Sequence, residues 1–279
     1  MFSLFNIFNK LKIFIYGKYK IVENLAVSVV GDFKFLYKYF SQFKRNLTIS
    51  GKFTGDIVII TSNYTPTFLL PSTYGERINI VRFKKIKFSE STNGSLNNNF
   101  TNGQPNRNKT KSFQWHKLHL FDVKLKKWKY IFYLDINMQI HHDISGLLQI
   151  LPKRSIFARA DSYPDYKKNL SSQFDKTSPS FRELYKKYDL NIKNYFQTGL
   201  LFFDTEIIET QTKQNLVELV ERFPCTITNE QAICNLYFIF DRNHYSELVQ
   251  TIDGKISYFY WLLPDKEVII SKQNQTQYK

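Results

Sequence analysis

The sequence predicts an α/β domain built on a mostly parallel sheet. Three observations predict it: short, continuously apolar runs recur along the chain, two of them are bounded by Gly-Asp, and stretches with apolar residues at helical spacing separate them. A strand covered on both faces reads as an unbroken apolar run, as in sheets wound with helices on both sides. With 279 residues, 43% hydrophobic and 17% aromatic, the chain can bury a large core, which excludes a mainly disordered protein.

The elements follow in order. In residues 1–20, Leu4, Phe8, Leu11 and Ile15 share a helical face, but Asn6, Asn9, Lys10, Lys12 and Lys18 break the apolar run. Neither a spanning helix nor a secretory signal is therefore expected there. We read residues 1–20 as an apolar, basic segment packed on the domain, with peripheral membrane contact through residues 2–20 as the alternative. Residues 21–279 form the domain. Leu25 to Val30 is a buried strand ending at Gly31-Asp32, and Phe33 to Phe43 a helix. Ile57 to Thr61 and Ile78 to Val81 are the next strands. Ser89 to Thr110 is polar and Asn-rich, and is expected to be a mobile loop. Ser112 to Trp128 is expected to be a helix carrying Trp115, Leu118, Phe121 and Leu125, followed by the strand Tyr130 to Leu134. A strand over Ile150 to Ala160, a helix from Ser180 to Tyr188, a strand over Leu200 to Asp204 and helices over Glu206 to Phe223 and Asn229 to Phe240 complete the expected order.

The net charge of +15 favours an anionic partner without choosing one. The lysines are spread along the chain and no nucleic-acid motif is visible, so no nucleic-acid partner is expected. Cys225 and Cys234 are too few for a disulfide framework and read as reduced packing residues of a cytoplasmic protein.

One stretch carries chemistry. The run Tyr130-Ile131-Phe132-Tyr133-Leu134 ends on Asp135, followed by Ile136 and Asn137. Ligands of open α/β sheets sit beyond the carboxyl ends of the strands. In an extended segment Asp135 and Asn137 share a face. Two oxygens leave a hard cation unsaturated, and water and a bound diphosphate would complete the shell, as for magnesium or manganese held with a nucleotide. An Asp and an Asn making a turn is the plain alternative.

The pair has company. Lys117-Leu118, the strand ending Asp135-Ile136-Asn137, Asp143-Ile144, Phe196-Gln197-Thr198-Gly199 and Glu230-Gln231 occur in an order that resembles glycosyltransferase family 8, the glycogenin-like enzymes. The resemblance spans roughly residues 25–240. It implies a single GT-A (Rossmann-like) fold and a glycosyltransferase moving a hexose-type sugar from a nucleoside-diphosphate donor, UDP in the first instance, to a glycan or protein acceptor. It also implies a manganese or magnesium ion and retention of anomeric configuration. By position, Asp135 and Asn137 would hold the metal, and Asp135 also the donor. Val30 and Gly31 would floor the base, and Lys117, Gln197 and Thr198 would contact the donor. Glu230 and Gln231 would stand near the anomeric carbon, and Asp161, where the family has an Asp after its fifth strand, would be catalytic with them.

Three departures stand out. Asn137 replaces a carboxylate, Glu230 replaces Asp, and the tail from Val268 lacks the family's terminal His, leaving Lys272 and Lys279 as candidate phosphate partners. The adjacent pair His141 and His142 is expected to stay off the metal. A sugar-nucleotide-binding or scaffolding protein of the same fold is the rival reading.

Overall fold

The computed structural model describes residues 24–248 except 74, 102 and 164, together with 251–252, 255–256 and 269–272. The segment 1–20 and Lys279 therefore lie outside the described residues, as does the side chain of Lys272. Among the described residues, no helix is long and apolar enough to cross a membrane.

Strand β1 (Leu25–Val30) leads through Asp32, whose carboxylate accepts from Phe35 N at 2.9 Å, into helix α1 (Phe33–Ile49). The helix is longer than expected because Leu47 continues the buried stripe of Leu36, Phe40 and Phe43. Strands β2 (Asp56–Ser62) and β3 (Ile78–Phe83) follow. The segment expected to be a mobile loop instead holds helix α2 (Glu90–Asn98) and the single turn α3 (Arg107–Thr110). Its polar residues act as caps and braces. Ser89 accepts from Thr92 N, and Glu221 accepts from Ser89 N at 2.8 Å. Residues 112–128 are likewise not one α-helix but two 3₁₀ segments, Ser112–Phe121 and Val123–Lys127. Trp115, Leu118 and Phe121 recur every three residues, which is the 3₁₀ period, and all three are buried.

Next come β4 (Tyr130–Leu134), the short β5 (Met138–Ile140), the turn α4 (Ser145–Leu148) and β6 (Ile156–Ala160), the last shorter than expected. Helix α5 (Phe181–Lys187) precedes β7, which starts at Phe196 and runs to Asp204. The long helix expected over residues 206–223 is split into a 3₁₀ turn, Thr205–Ile207, and α6 (Thr212–Arg222). Helix α7 (Glu230–Asn235) continues as a π-turn, Leu236–Asp241, into β8 (Tyr245–Glu247). A small hairpin, β9 (Thr251–Ile252) and β10 (Lys255–Ile256), follows, and β11 (Ile270–Lys272) pairs antiparallel with β5.

The seven-stranded sheet has the order β3-β2-β1-β4-β7-β6-β8, with β7 antiparallel to both neighbours and every other pairing parallel. Alternate residues feed two cores. Ile131 and Tyr133 join the 3₁₀ segments, α6 and α7 on one face; Phe132 and Leu134 join α1 and β5 on the other. The chain leaves β1 toward β2 on one side and reaches β4 on the other. This reversal opens a crevice beyond the carboxyl ends of β1 and β4.

Candidate functional site

The crevice is occupied by a polar cluster centred on Lys117. In the first 3₁₀ segment the side chain is directed to the end of β4, where its ammonium lies 2.9 Å from Asp135 Oδ1 and 3.0 Å from Glu230 Oε1. It also donates to Thr198 O at 3.4 Å, so its three protons meet three acceptors. Burial by itself would lower the Lys117 pKa, but Asp135 and Glu230 outweigh it and hold the ammonium well above its ordinary value. The Tyr133 hydroxyl donates to Asp135 Oδ1 at 2.6 Å.

The cluster continues through β7 and α7. Thr198 Oγ1 donates to Glu230 Oε1 at 2.8 Å and Thr198 N to Gln231 Oε1 at 3.4 Å. Gln231 Nε2 donates to Gln173 Oε1 at 3.0 Å, and Gln173 Nε2 to Asp161 Oδ2 at 3.1 Å. Burial raises the Asp161 carboxyl above its usual range, against the Tyr195 hydroxyl and the cations Lys168, Arg107 and Arg159. Gln173, a residue with no motif around it, thus joins Asp161 to Gln231.

Six of the residues named from sequence are brought together here: Lys117, Asp135, Thr198, Glu230, Gln231 and Asp161. Val30 and Gly31 flank them. The β1–β4 register ends at the pair Ser28 and Tyr133, so Val30 and Gly31 follow at the same end of the sheet as Asp135. Gly31 has a packing reason of its own, since a Cβ there would lie 3.0 Å from Leu36 Cγ. Gln197 is 3% exposed, and its Oε1 is buried without a hydrogen-bond partner. His141 bonds Ser271 Oγ at 2.6 Å, on the β5–β11 pair.

Asn137 is placed differently from the expectation. Met138 N donates to Asp135 O at 2.9 Å, so residues 135–138 form a turn and not an extended pair. Asp135 and Asn137 are both partly exposed in it. Among the described residues no three His, Cys, Asp or Glu side chains gather as a metal site. A carboxylate and an amide oxygen suit a hard cation that draws its other ligands from water and a diphosphate, so the donor set fits magnesium or manganese on those terms.

Besides Gln197 Oε1, two further buried atoms near the crevice lack partners. Glu230 Oε2 is buried without a hydrogen-bond partner, although Oε1 is fully engaged. Buried polar atoms are normally satisfied, so an unspent carboxylate oxygen here calls for a partner. The other is His116 Nε2, equally buried and unpartnered, on a cleft of about 530 Å³. Asp32, Ser62, Tyr64, Lys85 and Phe113 also line this cleft, over the ends of β1 to β3. Burial lowers the Lys111 ammonium, as do Arg107 and Lys117 nearby, while Asp135 opposes them. Sequence reasoning missed both Arg107, which lies in the supposed loop, and Lys111, which directly follows it.

No protein-family model matches the sequence, and no curated protein matches it either. Solved structures do. The chain is similar to the galactosyltransferase LgtC in complex with donor and acceptor sugar analogues, with a TM-score of 0.57 and 11% identity over 88% of this chain and 86% of LgtC. It is also similar to the apo bifunctional glycosyltransferase WbbM, with a TM-score of 0.53 and 15% identity over 91% of this chain and 46% of WbbM. At such identities the likeness establishes the fold, which is of the GT-A type.

Proposed function

We propose that this chain is a glycosyltransferase that moves a hexose-type sugar from a nucleoside-diphosphate donor, UDP in the first instance, to a glycan or protein acceptor in the cytoplasm. The observation that carries the reading is the buried, unpartnered Glu230 Oε2 beside the Lys117–Asp135 pair, at the crevice where a GT-A sheet reverses its winding. The two solved structures cited above are themselves glycosyltransferases, which supports it.

In this reading the nucleoside lies in the cleft edged by Asp32 and His116, against Val30 and Gly31, and the diphosphate reaches Asp135. Asp135 and Asn137 would hold a manganese or magnesium ion, which when bound offsets charge on the departing diphosphate. The residues of the chain do the rest. Lys117 stays protonated and fixes the Asp135 and Glu230 carboxylates relative to one another. Glu230 Oε2 takes a sugar hydroxyl or faces positive charge developing at the anomeric carbon. Gln231, braced by Gln173, and Thr198 orient the sugar, and Asp161 sits behind Gln173. Retention of configuration without a covalent intermediate on the protein would require departure and attack on one face. An inverted product by NMR would assign Glu230 as general base instead.

The test is donor hydrolysis. Incubated with manganese and a panel of sugar nucleotides, the protein should release nucleoside diphosphate from one of them. Glu230→Gln should slow that release on the order of 100-fold or more. Binding without release would point to the scaffold reading, and neither binding nor release of any donor would refute the proposal.

A further inference from the structure

Asn229 connects the site to a segment that holds none of the motifs of the resemblance. It is 1% exposed and holds φ 54°, ψ −127°, a conformation that non-glycine residues seldom adopt. Its amide donates to Arg107 O at 3.2 Å, Lys111 O at 3.3 Å and Gln114 Oε1 at 3.1 Å. The residue immediately before Glu230 therefore ties the α3 turn, by the carbonyls at its two ends, to the start of α7.

That turn delivers two cations. Arg107 and Lys111 form no ion pair with any described residue. Lys111 stands in the field of Asp135, and Arg107 in that of Asp161, so both lie within electrostatic reach of the acid cluster. A diphosphate needs such groups. Lys117 has its three protons committed to Asp135, Glu230 and Thr198, and Asn137 brings no charge to a metal site. Arginine offers a diphosphate a two-pronged donor, and lysine a mobile point charge.

We propose that Arg107 and Lys111 bind the diphosphate of the donor, and that Asn229 is the positioning residue that holds them over the site. The proposal rests on the nucleotide-donor reading above and names the groups that take its charge.

Calorimetry can test it, using whichever of UDP, GDP, CDP and ADP binds wild-type protein best, alongside the parent nucleoside. Arg107→Ala/Lys111→Ala should weaken the diphosphate about tenfold or more and leave the nucleoside unchanged. Asn229→Gly tolerates the backbone conformation but lacks the amide, and should reproduce the loss without touching ligand. Circular dichroism would check that both variants fold. If the double variant binds diphosphate like wild type, or loses nucleoside to the same degree, this inference falls while the nucleotide reading stands. Wild-type affinity in Asn229→Gly would overturn the positioning role. Failure of wild-type protein to bind any of the four would remove the nucleotide reading and this proposal together.

Discussion

At the scale of single residues, Lys117 decides most. It is the counter-charge for two carboxylates of which one, Glu230, has a side chain only 2% exposed. Breaking a buried pair costs far more than the pair is worth, because the remaining charge is left without solvent or partner. Lys117→Met should therefore destabilise the protein by about 3–5 kcal/mol in urea unfolding. Adding Glu230→Gln should recover part of that loss; an additive double variant would show that the two groups do not interact. His119 offers a second test, through pH. Burial, with His116 and Lys213 nearby, depresses its pKa from 6.5 to about 3, while its ring stacks on Phe83 at 4.2 Å. Between those values the unfolded chain holds one more proton here than the folded protein does, so stability falls as acid is added. At pH 5 the loss is about 2 kcal/mol, and His119→Gln should flatten the stability curve between pH 7 and 5 by about that amount.

At the scale of elements, the Asn-rich stretch shows how polar sequence can be ordered. Helix α2 buries little beyond Thr92 and Leu96, yet Glu221 on α6 accepts from Ser89 N, Ser89 Oγ and Thr92 Oγ1. These bonds hold the Glu221 carboxyl below its usual range, although burial opposes them. The cap is thus present at neutral pH and lost as pH falls through the carboxylate range. Glu221→Gln should cost about 1 kcal/mol and speed amide exchange in residues 90–98 without changing exchange in β4. Unchanged exchange in α2 would mean that the brace is incidental. The same lesson applies to α3, whose fold depends on Asn229, 122 positions away. Local propensity could suggest neither helix, because their partners are remote in sequence.

At the scale of the whole molecule, the proposed activity carries a stability signature. A ligand that binds only the folded state raises stability by about 2.7 kcal/mol at a hundred times its dissociation constant. For a chain of this size that is a melting shift on the order of 5 °C. The cognate donor with manganese should produce it, and Asp135→Ala should remove the manganese-dependent part; a shift unaltered in that variant would take Asp135 out of the site.

The sequence by itself determined the apolar runs β1, β2 and β4, since a strand buried on both faces announces itself locally, whatever its neighbours are. It also marked Asp135 at the end of β4, and Thr198, Glu230 and Gln231 through their ordered resemblance. Only the tertiary structure decided that Asp135–Met138 is a turn, that Lys117 lies between Asp135 and Glu230, that Gln173 links Gln231 to Asp161, and that the Asn229 amide bonds the Arg107 and Lys111 carbonyls. The reason is physical. Burial of a strand is written in its own side chains, whereas an ion pair or a hydrogen bond between distant segments depends on where the sheet brings them.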